Sequence, residues 1–164
     1  MNNDRPLTVL FLSTGNAARS ILAEALLRHK GSHRFQARSA GYCPLPDVAP
    51  EALQILEQSY IRTSGLHVKK WTEYWIAAYQ MTVDVIVTLS PEAQHYCPQW
   101  PNDPVRVHWP VDDPLGAPSA DVREWKFRKC FATLESRVNR LVKTQITSSR
   151  TQLMLQLLDI GMAV

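Results

Sequence analysis

Short segments dominated by apolar side chains alternate along the chain with longer segments in which apolar residues recur every three or four positions. The short segments predict β-strands, and the longer spacing predicts helices. The predicted strands cover residues 7–12, 35–40, 83–89 and 104–109, and the predicted helices lie around 21–27 and over 51–60 and 120–142. Strands that alternate with helices favour an α/β fold: a doubly wound, four-stranded parallel sheet with helices on both faces.

Length and composition favour one domain with a short tail. The chain has 164 residues, of which 45% are hydrophobic and 20% charged, as in ordinary globular proteins. We expect a domain over residues 1–143 and a tail over 144–164, in which the apolar stretch 153–160 follows a polar one. Such an apolar stretch predicts a terminal helix that packs on the domain or on a partner. The second alternative implies a homodimer.

The charge balance narrows the classes of partner. Eighteen Lys and Arg residues against 15 Asp and Glu give a net charge of +3. This excess is too small and too dispersed for a nucleic-acid binder, but it favours an anionic ligand. The basic pair Lys69 and Lys70 is expected on a solvated face.

Because no apolar run reaches membrane-spanning length and the start lacks the layout of a signal peptide, we expect a cytoplasmic protein without membrane contact.

The spacing of cysteine and histidine argues against a metal site. Cys43, Cys97 and Cys130 form no CxxC pair, and the five histidines show no ligand spacing. Three cysteines are also too few for a disulfide scaffold. We therefore expect no metal and no other cofactor.

The segment after the first predicted strand has the composition of an anion-binding loop. Successive backbone N–H groups of such a loop, with the free donors of the next helix, converge on one point. Small residues let the backbone approach an anion, and an arginine at the helix start grips two oxygens. The candidate oxyanion-binding residues are Thr14, Gly15, Asn16, Ala17, Ala18, Arg19 and Ser20. From spacing alone, an ordinary βα turn with an exposed arginine is an equal alternative.

Five motifs, in this order, resemble the low-molecular-weight protein tyrosine phosphatases and their arsenate reductase relatives. They are VLFLSTGNAARSILAE at 9–24, RSAG at 38–41, TSGLHVKKW at 63–71, VTLS at 87–90 with a Cys-Pro pair at 97–98, and HWPVDDP at 108–114. The His-Trp pair before Asp-Pro and the Ser-Gly-Leu segment are more similar to the arsenate reductase branch. Leu115 and Gly116 stand where the phosphatase branch usually has two aromatic residues.

The resemblance implies a catalytic set of Ser13, Arg19 and Asp113. In the family, the position of Ser13 holds the nucleophilic cysteine, the arginine grips the oxyanion and the aspartate is the general acid. Ser20 matches a residue that hydrogen-bonds the nucleophile, and Asn16 matches one that braces the loop. The loop that binds phosphate is thus expected directly after the first strand.

A serine at position 13 changes the expected chemistry. A thiol at a helix N-terminus ionises near neutral pH, whereas a serine needs a neighbouring base, and the matched motifs supply none. Thioredoxin-coupled arsenate reductases also relay oxidation through two further cysteines, and the matching positions here are Ser90 and Cys97. A thiol reductant would therefore meet an incomplete relay, of which these two residues are the remnant.

Two explanations of Ser13 are open. It is either a laboratory substitution that traps an inert state of a normal enzyme, or a natural residue of a domain that binds oxyanions without redox catalysis. Whether the chain is an enzyme stays undecided at this point. Both explanations imply arsenate, phosphate or a similar tetrahedral oxyanion as ligand. The alternatives are a non-catalytic module that binds oxyanions or phosphoproteins, and a tyrosine phosphatase with an altered nucleophile.

Overall fold

The computed structural model describes residues 5–77, 82–146 and 149–162. Four strands form one sheet in the order β2-β1-β3-β4, and every neighbouring pair is parallel. The strands are β1 (Leu7–Ser13), β2 (Phe35–Gly41), β3 (Val85–Thr88) and β4 (Val105–His108). The predicted four-stranded parallel sheet is therefore confirmed, with β3 and β4 shorter than their apolar runs.

Six helices connect or follow the strands in the described ranges. They are α1 (Arg19–Gly31), α2 (Pro50–Gln58), α3 (Trp71–Ala77), α4 (Pro91–His95), α5 (Ala120–Lys143) and α6 (Arg150–Met162). The predicted helix α1 includes Gly31 instead of stopping before it. The five-residue helix α4 was not predicted, because it is too short to show apolar periodicity. Its N-cap is Ser90, whose side chain accepts a hydrogen bond from the Ala93 backbone amide.

Alternate residues of each strand face opposite sides of the sheet, so both faces are covered. Val9 and Phe11 lie in a larger apolar cluster that includes residues of α1, α2, α5 and α6. Leu10 and Leu12 lie in a smaller cluster with residues of α3 and α4. The helical spacing of apolar residues over 120–142 also predicts that Trp125 belongs to a buried stripe of α5, but Trp125 is 57% exposed.

The order of the strands places a crevice at the end of β1. The chain leaves β1 towards β2 on one side, while β3 lies on the other side, so the connections diverge at this edge. In doubly wound sheets such a switch point is the usual site for ligands. The loop 14–18, which contains the candidate oxyanion-binding residues, lies there.

The final helix packs on the body of the chain. Leu153, Leu157 and Ile160 of α6 are buried in the larger cluster. Within the described ranges, no helix combines the length and apolar character needed to cross a bilayer. The boundary between a domain at 1–143 and a tail at 144–164 stays a prediction, and residues 1–4, 147, 148, 163 and 164 lie outside the described residues.

Candidate functional site

The peptide groups of the loop after β1 are held in one orientation by the segment 42–49. Four backbone carbonyls accept hydrogen bonds from that segment: Ser13 from Tyr42 (3.0 Å), Thr14 from Cys43 (2.8 Å), Gly15 from Leu45 (2.9 Å) and Ala17 from Ala49 (2.8 Å). In a trans peptide, the carbonyl and the following N–H point in opposite directions. The following N–H groups therefore face the inside of the loop, an arrangement that attracts an anion.

Close packing of the loop on β2 requires a glycine at position 41. A Cβ atom on Gly41 would lie 3.0 Å from both the Thr14 carbonyl oxygen and the Asn16 nitrogen. Any larger residue would push the loop away from the sheet. This close contact explains why the RSAG motif ends in a glycine.

Asn16 ties the loop to two neighbouring segments. Its backbone has φ of 50°, in the left-handed region that asparagine tolerates better than most residues. The buried side-chain amide donates to the hydroxyls of Ser20 (2.8 Å) and Ser39 (2.9 Å), and its oxygen accepts from the Lys69 amide (2.8 Å). All the hydrogen-bonding groups of this side chain are therefore used to hold the loop.

A buried charged network lies behind Asn16. Glu24 is 2% exposed, accepts from Ser39 and Arg28, and lies 3.2 Å from the ammonium of Lys69. Lys69 is buried, which contradicts the expectation of a solvated lysine. Burial lowers the pKa of Lys69, and the charge of Glu24 opposes that effect. Sequence analysis missed this pair, although Glu24 on an otherwise apolar helix was a usable signal.

Ser13 lies at the centre of the loop with its hydroxyl enclosed. The side chain is 2% exposed, its Oγ is 2.7 Å from the Oγ of Ser20, and it accepts a hydrogen bond from the Asn16 amide (3.2 Å). Among the residues that the structure describes, no carboxylate or imidazole hydrogen-bonds to this hydroxyl. Within the described ranges, therefore, no base is in position to take the proton of Ser13, and the neutrality of this hydroxyl stays a prediction.

Arg19 and Asp113 meet above the start of α1. The Arg19 side chain is 7% exposed, and one terminal nitrogen lies 3.2 Å from a carboxylate oxygen of Asp113. The other terminal nitrogen donates to the Val111 carbonyl at 3.1 Å. The neighbouring Asp112 is instead exposed beside Lys129, at 3.7 Å. Of the two adjacent aspartates, therefore, Asp113 is the one that reaches the loop.

The two positions of the predicted relay have different surroundings. The Ser90 hydroxyl is 3.0 Å from that of Thr14, and Thr14 donates to Glu92 at 3.0 Å. Hydrogen bonds from its own backbone amide and then from Thr14 lower the pKa of Glu92. Cys97 packs with the smaller apolar cluster, and burial raises the pKa of its thiol. The structure thus brings Ser90 to the loop but surrounds Cys97 with apolar side chains.

An aromatic stack near the loop was missed by sequence analysis. The rings of Tyr42 and Tyr96 are stacked, with centroids 4.5 Å apart and an angle of 10° between their planes. Tyr42 follows β2, and Tyr96 follows α4, so no local pattern relates the two residues.

In the described part of the chain, no three His, Cys, Asp or Glu residues are grouped to hold a metal ion.

Most of this chain is similar to known proteins. The family model described as "Low molecular weight phosphotyrosine protein phosphatase" matches residues 8–152. An arsenate reductase of Bacillus cereus is 30% identical over 138 residues, which cover 84% of this chain and 95% of that protein. A thioredoxin-dependent arsenate reductase of Corynebacterium glutamicum superposes with a TM-score of 0.66 and 26% identity, over 85% of this chain and 62% of that one.

A second solved structure extends the similarity in fold. An arsenate reductase in the phosphate-binding state superposes with a TM-score of 0.68 and 24% identity, over 84% of this chain and 97% of that one. At this level of identity the likeness concerns the fold.

Two substitutions at Asn16 separate its hydrogen bonds from its backbone conformation. Asn16→Gly removes the three side-chain hydrogen bonds but tolerates positive φ, and we expect it to lower the free energy of unfolding by roughly 2–4 kcal/mol. Asn16→Ala should cost about 1 kcal/mol more, because alanine is strained in the left-handed region. Urea denaturation followed by circular dichroism measures both. Equal losses would show that the conformation at position 16 stores no strain.

The three free thiols should react at different rates. Cys43 is exposed and should react with a disulfide reagent at once, whereas burial raises the pKa of Cys97 and raises that of Cys130 to about 12. An ordinary cysteine thiol has a pKa of about 8.5, and a raised pKa leaves less thiolate at a given pH. The reaction rate of Cys97 should therefore still increase with pH above that value. Cys130 should react only after unfolding. The variant Cys43→Ser should lose the fast phase alone, and two fast thiols at pH 7.5 would contradict this order.

Proposed function

The chain belongs to the low-molecular-weight phosphotyrosine protein phosphatase family, and from this premise we propose that its loop 13–20 binds a tetrahedral oxyanion, arsenate or phosphate. One observation carries the proposal: the loop carbonyls are bound from outside, so the loop amides face inward beneath Arg19. One terminal nitrogen of Arg19 donates to the Val111 carbonyl, and the other forms an ion pair with Asp113, so at most two N–H groups have partners. A guanidinium has five N–H donors, so three stay available for the anion.

The relatives support this class of ligand. Arsenate reductases are among the similar proteins, and one similar structure is of an arsenate reductase in the phosphate-binding state. Arsenate and phosphate are both tetrahedral, so the same ring of inward amides suits either anion. The net charge of +3 also favours an anionic ligand over a neutral one.

We infer that the chain binds the anion without reducing it. Reduction of arsenate by a thiol relay needs sulfur atoms that become oxidised, and Ser13 and Ser90 offer hydroxyl oxygens instead. Cys97 alone forms no intramolecular disulfide with either position. A thiol reductant such as thioredoxin would then find no disulfide to reduce. A cytoplasmic location and a homodimer stay predictions from the sequence.

A second candidate function follows from the pairing of Arg19 with Asp113. The Asp113 carboxylate contacts Arg19, and beside the proposed anion site it would serve as general acid for a leaving oxygen. A general acid at this position contributes to catalysis only if the residue at position 13 is a nucleophile. Whether the serine is natural or introduced, the rest of the site then retains the parts of a phosphatase or arsenate reductase.

Phosphate binding should depend on Arg19. Arg19→Ala should weaken binding by about 100-fold in titration calorimetry, because two hydrogen bonds to a charged group contribute about 3 kcal/mol. Arg128→Ala, which removes the same charge from an exposed side chain of α5, should change the affinity less than about twofold. Arg19→Lys should recover only part of the affinity, since an ammonium lacks the planar fork. Identical heats for the parent and Arg19→Ala would refute the binding site.

Replacement of the serine by a thiol tests the second candidate. In Ser13→Cys, the helix N-terminus and Arg19 should lower the pKa of the new thiol, and hydrolysis of p-nitrophenyl phosphate should rise at least about 100-fold above the parent. Ser13→Ala is the control and should show no hydrolysis while it still binds phosphate. A folded Ser13→Cys protein that binds phosphate but hydrolyses no ester and reduces no arsenate would rule out a preserved catalytic machinery.

A further inference from the structure

Helix α6 lies at the end of the region that the family shares. The family model matches residues 8–152, whereas α6 covers Arg150–Met162. Its buried residues, Leu153, Leu157 and Ile160, join the larger apolar cluster. The helix packs on α5 and on β4, an edge strand of the sheet. Most of α6 therefore lies beyond the matched region, and it packs on an edge strand of the sheet.

The indole of Trp109 joins α6 to the end of β4. Trp109 is fully buried, and its ring N–H donates to the backbone carbonyl of Leu157 at 2.8 Å. A Cβ atom on Gly161 would lie 2.3 Å from a ring carbon of Trp109 and 3.1 Å from the carbonyl oxygen of His108. Only glycine allows the helix to lie this close to the ring.

Trp109 also begins the segment that carries Asp113. The Trp109 amide donates to Thr88 (2.9 Å), and the Pro110 carbonyl accepts from Arg137 (3.0 Å). The Val111 amide donates to the Leu89 carbonyl at 3.2 Å, and the Val111 carbonyl accepts from Arg19 at 3.1 Å. Every residue from 109 to 111 is thus fixed by hydrogen bonds.

Asp113 has fewer constraints of its own. Its carboxylate is 48% exposed, and it contacts Arg19 and the amide of Leu115, two residues further along the same segment. The position of Asp113 over the loop therefore depends on the anchored residues that precede it. The first of these is Trp109, and its side chain is held by α6.

We propose that α6 is a positioning element for Asp113: its docking on Trp109 holds the segment 109–113 so that the carboxylate faces Arg19. Loss of the helix would remove the acceptor of the Trp109 indole N–H and uncover the ring, so the side chain would no longer be held in one position. The segment would then lose its first anchor. The consequence for catalysis rests on the proposed function, but the coupling between α6 and the segment does not.

Hydrogen exchange followed by mass spectrometry tests the coupling in the full-length chain. Leu157→Asp places a charge on the buried face of α6, and Leu158→Asp places the same charge on its exposed side. In Leu157→Asp, amides of α6 and of residues 109–115 should exchange at least tenfold faster than in the parent. In Leu158→Asp, both should stay within about twofold. A variant in which α6 exchanges freely while 109–115 stays protected would overturn the proposal.

A milder variant tests the same coupling if Leu157→Asp does not fold. Gly161→Ala adds one methyl group against Trp109, whereas Gly116→Ala adds one where no atom lies within 4 Å. Trp109 or the last turn of α6 must move in the first variant, and exchange at 109–115 should rise at least threefold. Exchange in α6 should be unaffected by Gly116→Ala. Unchanged protection at 109–115 with an opened α6 would again overturn the proposal.

Turnover in the Ser13→Cys background tests the consequence for Asp113. The introduced thiolate attacks phosphorus, the bond from phosphorus to the leaving oxygen breaks, and Asp113 gives its proton to that oxygen. Water then cleaves the sulfur–phosphorus bond, which releases phosphate and restores the thiol. Phenyl phosphate needs the proton in the first step, whereas 2,4-dinitrophenyl phosphate does not, and kcat/KM reports that step. Adding Leu157→Asp should lower kcat/KM about 100-fold for the first ester and less than about threefold for the second. Equal losses of activity with the two esters would overturn the role of α6 in positioning Asp113. If Ser13→Cys itself shows no turnover, the proposed catalysis is refuted, and the hydrogen-exchange result alone decides the role of α6.

Discussion

Backbone amides of the segment 42–49 bind the carbonyls of the loop between β1 and α1, and this pairing sets the direction of the loop amides. The pairing needs the strands β1 and β2 side by side, and it needs a glycine at position 41 to bring the two backbones together. Once the carbonyls are bound on the outside, the opposite side of the loop is lined with donors. The direction of the loop amides is thus set by main-chain hydrogen bonds, while Asn16 and Arg19 add the side-chain contributions.

The side chain at position 13 decides what such a site does with an anion. The surroundings favour negative charge, which would ionise a thiol but leaves a hydroxyl neutral. The Ser13 hydroxyl lies between Ser20 and the Asn16 amide, and neither group accepts a proton at neutral pH. Our proposal therefore separates binding from bond making: it assigns the first to the main chain and Arg19, and the second to a single side-chain atom.

Sequence analysis identified the sheet and the loop because their signals are local. The apolar run of β1, the small residues after it and Arg19 are neighbours in the chain, and the order of strands follows from general rules of α/β folds. The Glu24–Lys69 pair and the Tyr42–Tyr96 stack escaped, because each joins residues far apart in sequence. Trp125 was expected in the core from its helical spacing, but it lies on an exposed side of α5. Periodicity locates an apolar stripe without showing how wide its covered part is.

The contact between Arg19 and Asp113 has a consequence for selectivity among anions. The guanidinium already has a carboxylate partner, so an incoming anion finds little unbalanced positive charge there. In the proposed site, a spherical chloride or a planar acetate would make few hydrogen bonds. An ion with four oxygens at tetrahedral corners would reach the remaining guanidinium donors and several main-chain amides at once. On this proposal, discrimination between anions rests on the number and direction of their acceptor atoms, and not on charge alone.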